Sequence, residues 1–145
     1  MSRRLLLDLN VVLDVLLDRK PHATAAAALW SRIEGGDATG YLAADGITTI
    51  HYLAQRARGK RFARQTVEDL LSVFRVVAVD EKSLRQALAL SLPDFEDAVC
   101  AACAAAADCE AIVTRDPAGF RGSSIPAIDP ATALAWLTRS PRAGD

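Results

Sequence analysis

The sequence predicts a three-layer α/β/α fold, with a parallel sheet of about five strands covered by helices on both faces. Short apolar runs such as LLL, VVAV and AIVT alternate with longer stretches of helical character. Runs of that kind are near-continuous hydrophobic sequences, which parallel sheets bury on both faces. Acids stand where a buried strand would stop or a helix would begin: Asp8, then Asp94 with Asp97, then Asp116. In an open α/β sheet the carboxyl ends of neighbouring strands share one crevice, so acids remote in sequence can meet there. A cluster of that kind repels itself unless a cation neutralises it, which points to a metal site.

Each element has its own local reason. Arg4 to Leu7 reads as a buried strand that leads directly into a helix over Asn10 to Leu17, with Asn10 as its N-cap. Pro21 breaks the chain, and Ala23 to Ile33 is an alanine-rich helix stopped by Gly35 and Gly36. Residues 40 to 44 give the second strand. Thr48 to Ala57 is helical, Gly59 breaks it, and Phe62 to Phe74 resumes with apolar residues at helical spacing. Val76 to Val79 is a third strand, expected to be buried on both faces.

Asp80 caps a helix over Glu81 to Leu90, which Pro93 ends, and Asp94 to Ala107 forms the next. Ala111 to Thr114 and Ile125 to Ile128 complete the sheet. Asp129 and Pro130 then open a last helix as N-cap and N1. One domain over residues 1–138, with a frayed polar tail at 139–145, is expected.

At 145 residues the chain is long enough to bury a proper core, and its 51% apolar content argues against disorder. The net charge of −1 says little, but residues 55–64 hold Arg56, Arg58, Lys60, Arg61 and Arg64 without an acid. No run approaches the roughly 18 apolar residues of a membrane span. Asp8, Asn10, Asp14 and Asp18 interrupt the N-terminal apolar stretch, against a signal peptide. An odd cysteine count (Cys100, Cys103, Cys109) in an alanine-rich region fits a reducing, cytoplasmic setting. Cys100 and Cys103 read as small core-facing residues.

The acids differ in how far capping accounts for them. Asp129 is fully explained as a cap, and Asp14, Asp18 and Asp37 read as surface or turn residues. Asp94 and Asp97 resemble a capping pair, worth about 1 kcal/mol each. Glu96 makes three carboxylates in four positions, however, and the crowding opposes that gain unless a divalent ion reverses it. Positions 94 and 97 share a helix face, so both can reach one ion, while Glu96 points into solvent. Beside Asp116, Thr114 can bond a phosphate or a ligand carboxylate, and Arg115 either contacts substrate or faces water. An all-oxygen site suits Mg²⁺ or Mn²⁺ rather than zinc, and His51 packs rather than ligates.

Together LLLDLNVVLDVLLDR, PDFEDAVCAAC and AIVTRDPAGF resemble the PIN domain, the metal-dependent nuclease family that includes VapC-type toxins. The resemblance runs from about Leu5 to Leu137. It implies that Asp8, Asp97 and Asp116 hold the metal and that Asp94 is an additional acid of the branch carrying an Asp-Phe-Glu-Asp stretch. Asn10 matches a polar residue beside the first acid. Many members have a glutamate where this chain has Thr49; Asp45 is the nearest acid, and it either substitutes or leaves the site one carboxylate short.

The resemblance also implies RNA hydrolysis to a 5′-phosphate and a 3′-hydroxyl, an antitoxin partner and a homodimer. RNA recruitment by an acidic site needs nearby cations, for which Arg56, Arg58, Lys60, Arg61, Arg64 and Arg115 are the candidates. The alternative is a PIN-like module that binds RNA or protein without cutting, which Thr49 favours and the four aspartates oppose. An aspartyl-phosphate enzyme built on Asp8 is disfavoured, because such enzymes place another aspartate where Asn10 stands.

Overall fold

The computed structural model describes residues 3–139; the polar tail expected to fray falls at its end, and residues 140–145 lie outside that range. Five parallel strands form one sheet: β1 (Arg3–Leu7), β2 (Ala38–Ala43), β3 (Arg75–Val77), β4 (Ala111–Val113) and β5 (Ala127–Ile128). Their order is β3-β2-β1-β4-β5. The helices are α1 (Leu9–Leu16), α2 (Ala23–Glu34), α3 (Ala44–Val73), α4 (Glu81–Ala89), α5 (Phe95–Ala106) and α6 (Pro130–Arg139). None is long and apolar enough to cross a membrane.

The three leucines of β1 show why the sheet needs two helical layers. Leu5 and Leu7 enter a core with Val12, Leu29, Ile50 and Leu70, from α1, α2 and α3. Leu6 points the other way, into a core with Val99, Cys103 and Ile112 under α5. Side chains alternate across a strand, so an unbroken apolar run must be covered on both faces. Cys103 is buried as expected, and all three cysteines are free thiols.

The chain builds β1, β2 and β3 outward in one direction, then returns to place β4 on the opposite side of β1. The strand order thus reverses between β1 and β4. At such a switch point the connections leave in opposite directions and open a crevice at the carboxyl ends of the strands.

Four local expectations are corrected. Asp8, not Asn10, is the N-cap of α1; its carboxylate accepts from the Asn10 backbone N–H at 3.5 Å. The helix expected from Thr48 begins at Ala44, so Asp45 lies in its first turn. Gly59, with a left-handed φ of 90°, interrupts the helix as expected, leaving a kink between its two halves. The third strand, expected to be buried on both faces, lies at the sheet edge: among the described residues β3 pairs with β2 alone, and Val76 is 40% exposed. Asp14, expected at the surface, is completely buried. The caps at Asp80 and Asp129 are as expected, accepting from Ser83 and Thr132 backbone N–H groups.

Gly40 on β2 is required for a close approach. A β-carbon there would lie 2.6 Å from Phe74 Cδ1 and 3.0 Å from Ile33 Cγ2. The Phe74 ring is itself held edge-on to Trp30, with centroids 5.1 Å apart. Overpacking of this kind costs about 1–3 kcal/mol. Gly40→Ala is therefore expected to lower the melting temperature by roughly 2–4 °C for each kcal/mol, read by circular dichroism. An unchanged melt would mean that the ring turns aside freely.

Candidate metal centre

A cavity of about 410 Å³ opens at the strand-order reversal, lined by Asp8, Asn10, Asp45, Thr49, Asp94, Glu96, Asp97, Thr114 and Asp116, among others. The acids come from separate parts of the chain, except that Asp94 and Asp97 share one helix start. Asp8 follows β1, Asp45 opens α3, Asp94 caps α5, Asp97 lies in its first turn, and Asp116 follows β4. The four aspartates singled out from sequence thus face one space, together with the supporting positions Asn10, Asp45, Thr49 and Thr114.

Thr114 ties two of the acids together. It is buried, with 1% of its surface exposed. Its hydroxyl donates to Asp8 Oδ2 at 3.0 Å and accepts from the Asp116 backbone N–H at 3.2 Å. Asp8 is thereby fixed at one oxygen, while the loop carrying Asp116 is hung from the same side chain. Across the cavity, Asp94 accepts from the Asp97 backbone N–H at 3.0 Å, which fixes the start of α5.

Gly119, in a 3₁₀ turn over Pro117–Phe120, leaves room between two carboxylates. A β-carbon there would stand 3.1 Å from Asp116 Oδ2 and 3.5 Å from Asp97 Oδ2. The two oxygens therefore flank one small space that a side chain would fill.

The electrostatics record the same crowding. The Asp97 carboxyl is pushed up to about 6, by burial first and then by the charges of Asp94, Asp8, Asp116 and Glu96. Asp8 is raised by burial, against the opposing effects of the Thr114 hydroxyl, the Asn10 and Leu9 backbone N–H groups and the Arg115 charge. Beneath them, burial pushes the Cys100 thiol well up, helped by the negative charges of Asp8, Asp97 and Asp45. Asp45 lines the same cavity. It stands one helical turn before Thr49, so the early start of α3 supplies an acid to the cavity although Thr49 itself is neutral.

Among the described residues, no three histidine, cysteine, aspartate or glutamate side chains stand close enough to ligate one ion together. A hard divalent cation does not require that. Mg²⁺ keeps several of its waters and binds through one or two carboxylates. An oxygen-only donor set, mutual repulsion that an ion relieves, and the space at Gly119 all fit such a cation.

The basic residues behave differently. Arg56, Arg58, Lys60, Arg61 and Arg64 are exposed around the Gly59 bend and are absent from the acidic cavity's lining. The Arg56 guanidinium lies 5.8 Å from the Tyr52 ring centre, Arg58 lies 5.0 Å from that of Phe62, and Arg64 pairs with Glu68 at 3.2 Å. His51 lines a separate cavity with Gln55, Lys60 and Arg64. Arg115 is turned to the buried Asp14, with Nε 3.1 Å from Oδ2. The burial of Asp14 is the feature that the sequence reading missed. Its signal was present in the helical spacing of α1, where Asp14 falls three residues after Val11 and hence on the same inward face.

The family model described as PIN domain matches residues 4–118. No curated protein matches the chain. Among solved structures, the DNA-bound VapBC of Salmonella typhimurium superposes with a TM-score of 0.68 at 16% identity, over 90% of this chain and 99% of that one. VapBC2 of Rickettsia felis, bound to a DNA fragment from its promoter, gives 0.67 at 12% identity, over 87% and 98%. VapC20 of Mycobacterium tuberculosis, a toxin that cleaves the sarcin-ricin loop, gives 0.61 at 17% identity, over 90% and 94%. At these identities the likeness is one of fold.

Proposed function

The chain belongs to the PIN domain family, and we propose that it is a metal-dependent endoribonuclease, the toxin of a toxin–antitoxin pair. The observation that carries this reading is the crowding of Asp97 by Asp94, Asp8, Asp116 and Glu96 at a strand-order reversal. Such a cluster is costly for a fold to keep and useful for holding a divalent ion. Asp8, Asp97 and Asp116 hold Mg²⁺ or Mn²⁺, directly or through water, with Asp94 as a supporting acid. When bound, the ion lowers the pKa of water and offsets charge developing on the phosphate. Thr114 keeps Asp8 and the Asp116 loop in a fixed relation, and Asp94 does the same for Asp97. Asp45 takes the place of the acid absent at Thr49.

RNA is the substrate, cut to leave a 5′-phosphate and a 3′-hydroxyl. The exposed cations around Gly59 attract the strand through its phosphates, so binding weakens as salt is raised. The antitoxin assignment is supported by the VapBC complexes among the structures of like fold, and the homodimer is what the family resemblance implies. A cytoplasmic location follows from that role.

The test is cleavage of structured RNA by purified protein titrated with Mn²⁺, beside Asp8→Asn and Asp116→Asn. Metal-dependent cutting that both substitutions reduce by at least a hundredfold is the expected result. RNA binding without cleavage at any Mn²⁺ concentration would instead establish the non-catalytic module.

A further inference from the structure

Asp14 lies on α1, the helix that Asp8 caps, and is fully buried at 0% exposure. Among the described residues, neither of its oxygens has a hydrogen-bond partner of good geometry. Its charge is met by Arg115, at 3.1 Å, and more distantly by Arg19, at 3.9 Å. Stability is a weak reason to keep such a pair, since apolar residues of similar size often hold a fold as well or better. The position of Arg115 supplies a stronger one. Its neighbour on one side is Thr114, which donates to Asp8; on the other it is Asp116. Holding residue 115 from within α1 fixes the backbone on which both of those groups stand. The charged pair therefore ties α1 to the loop at a place where a small rotation would move two carboxylates relative to each other.

We propose that Asp14, acting through Arg115, is a positioning residue that sets the relative orientation of Asp116 and the Asp8–Thr114 pair in the acidic cavity. This rests on the nuclease reading and reassigns Arg115 from RNA contact to internal support. Residues that orient metal-binding carboxylates typically change metal affinity or activity by about 10- to 100-fold when altered.

The experiment compares the wild type, Asp14→Asn and the double variant Asp14→Leu/Arg115→Met. The readouts are thermal melting without added metal, Mn²⁺ binding by calorimetry, and kcat and KM on RNA. Asp14→Asn is expected to melt earlier, to bind Mn²⁺ about 10- to 100-fold more weakly, and to lose kcat with KM little changed. The double variant is expected to regain the melting temperature but not the Mn²⁺ affinity or kcat. Recovery of all three in the double variant would reduce the pair to structural glue and overturn the proposal. Should the double variant not fold, undiminished Mn²⁺ affinity and kcat in Asp14→Asn overturn it equally. A wild type that neither binds Mn²⁺ nor cuts RNA fails the nuclease reading itself, and the positioning role falls with it.

Discussion

Asp97→Asn is expected to make the protein more stable and inactive at once. The Asp97 carboxyl is raised from the usual 3.8 to about 6. Below the lower value the group is neutral in the folded and unfolded chain, and nothing is lost. Between the two values the folded chain holds a proton that the unfolded chain has released, so stability falls as pH rises. Above about 6 the whole cost is present. Much of the side chain is open to solvent, which screens these charges, so the cost is about 1 kcal/mol rather than the full value of the shift. In metal-free buffer at pH 7.5 to 8 (~1.5–2 pH units above the shifted value), the asparagine variant should melt roughly 2–4 °C higher than wild type. At pH below ~4 the two should melt together.

Added Mn²⁺ reverses that order. An ion that binds the folded chain alone raises its melting temperature by mass action, and it should raise the wild type far more than the variant. Cleavage of RNA by the variant should fall by at least a hundredfold. A variant that melts earlier than wild type at neutral pH without metal would show that Asp97 is a stabilising residue, and that the crowding costs nothing.

Thr114→Val is the second large effect, and here stability and activity fall together. Valine keeps the shape and removes the hydroxyl that joins Asp8 Oδ2 to the Asp116 backbone N–H. Leaving buried polar groups without partners costs about 1–3 kcal/mol. Asp8, already raised by burial, moves further up because the hydroxyl was the largest influence holding it down. The melting temperature should drop by several degrees and RNA cleavage by about 10- to 100-fold. Thr114→Ser, which retains the hydroxyl, should restore most of both. A valine variant with wild-type cleavage would mean that Thr114 fills space and transmits nothing between the acids.

Much of this molecule is determined within short stretches of chain. Aspartate followed three residues on by a free N–H forms a cap wherever the helix starts, as at Asp80, Asp94 and Asp129. Gly59 bends α3 because a left-handed backbone suits only a residue without a side chain. Leucines at 5, 6 and 7 need apolar cover on both faces, and that alone implies a sheet between two helical layers. The acids at 8, 94, 97 and 116 were recognisable because each stands at the end of such an element.

What tertiary structure decided is everything that depends on which elements become neighbours. Strand order carries no local signature, so nothing in Val76 or Val77 announces that β3 lies at an edge. The partner that meets the charge of Asp14, Arg115, arrives about a hundred residues later, a pairing no helical spacing can announce. Asp45 enters the cavity because α3 starts directly after β2, at the carboxyl edge of the sheet, a boundary set by packing rather than by propensity. Sequence chose the groups; the reversal of strand order beside β1 brought them face to face.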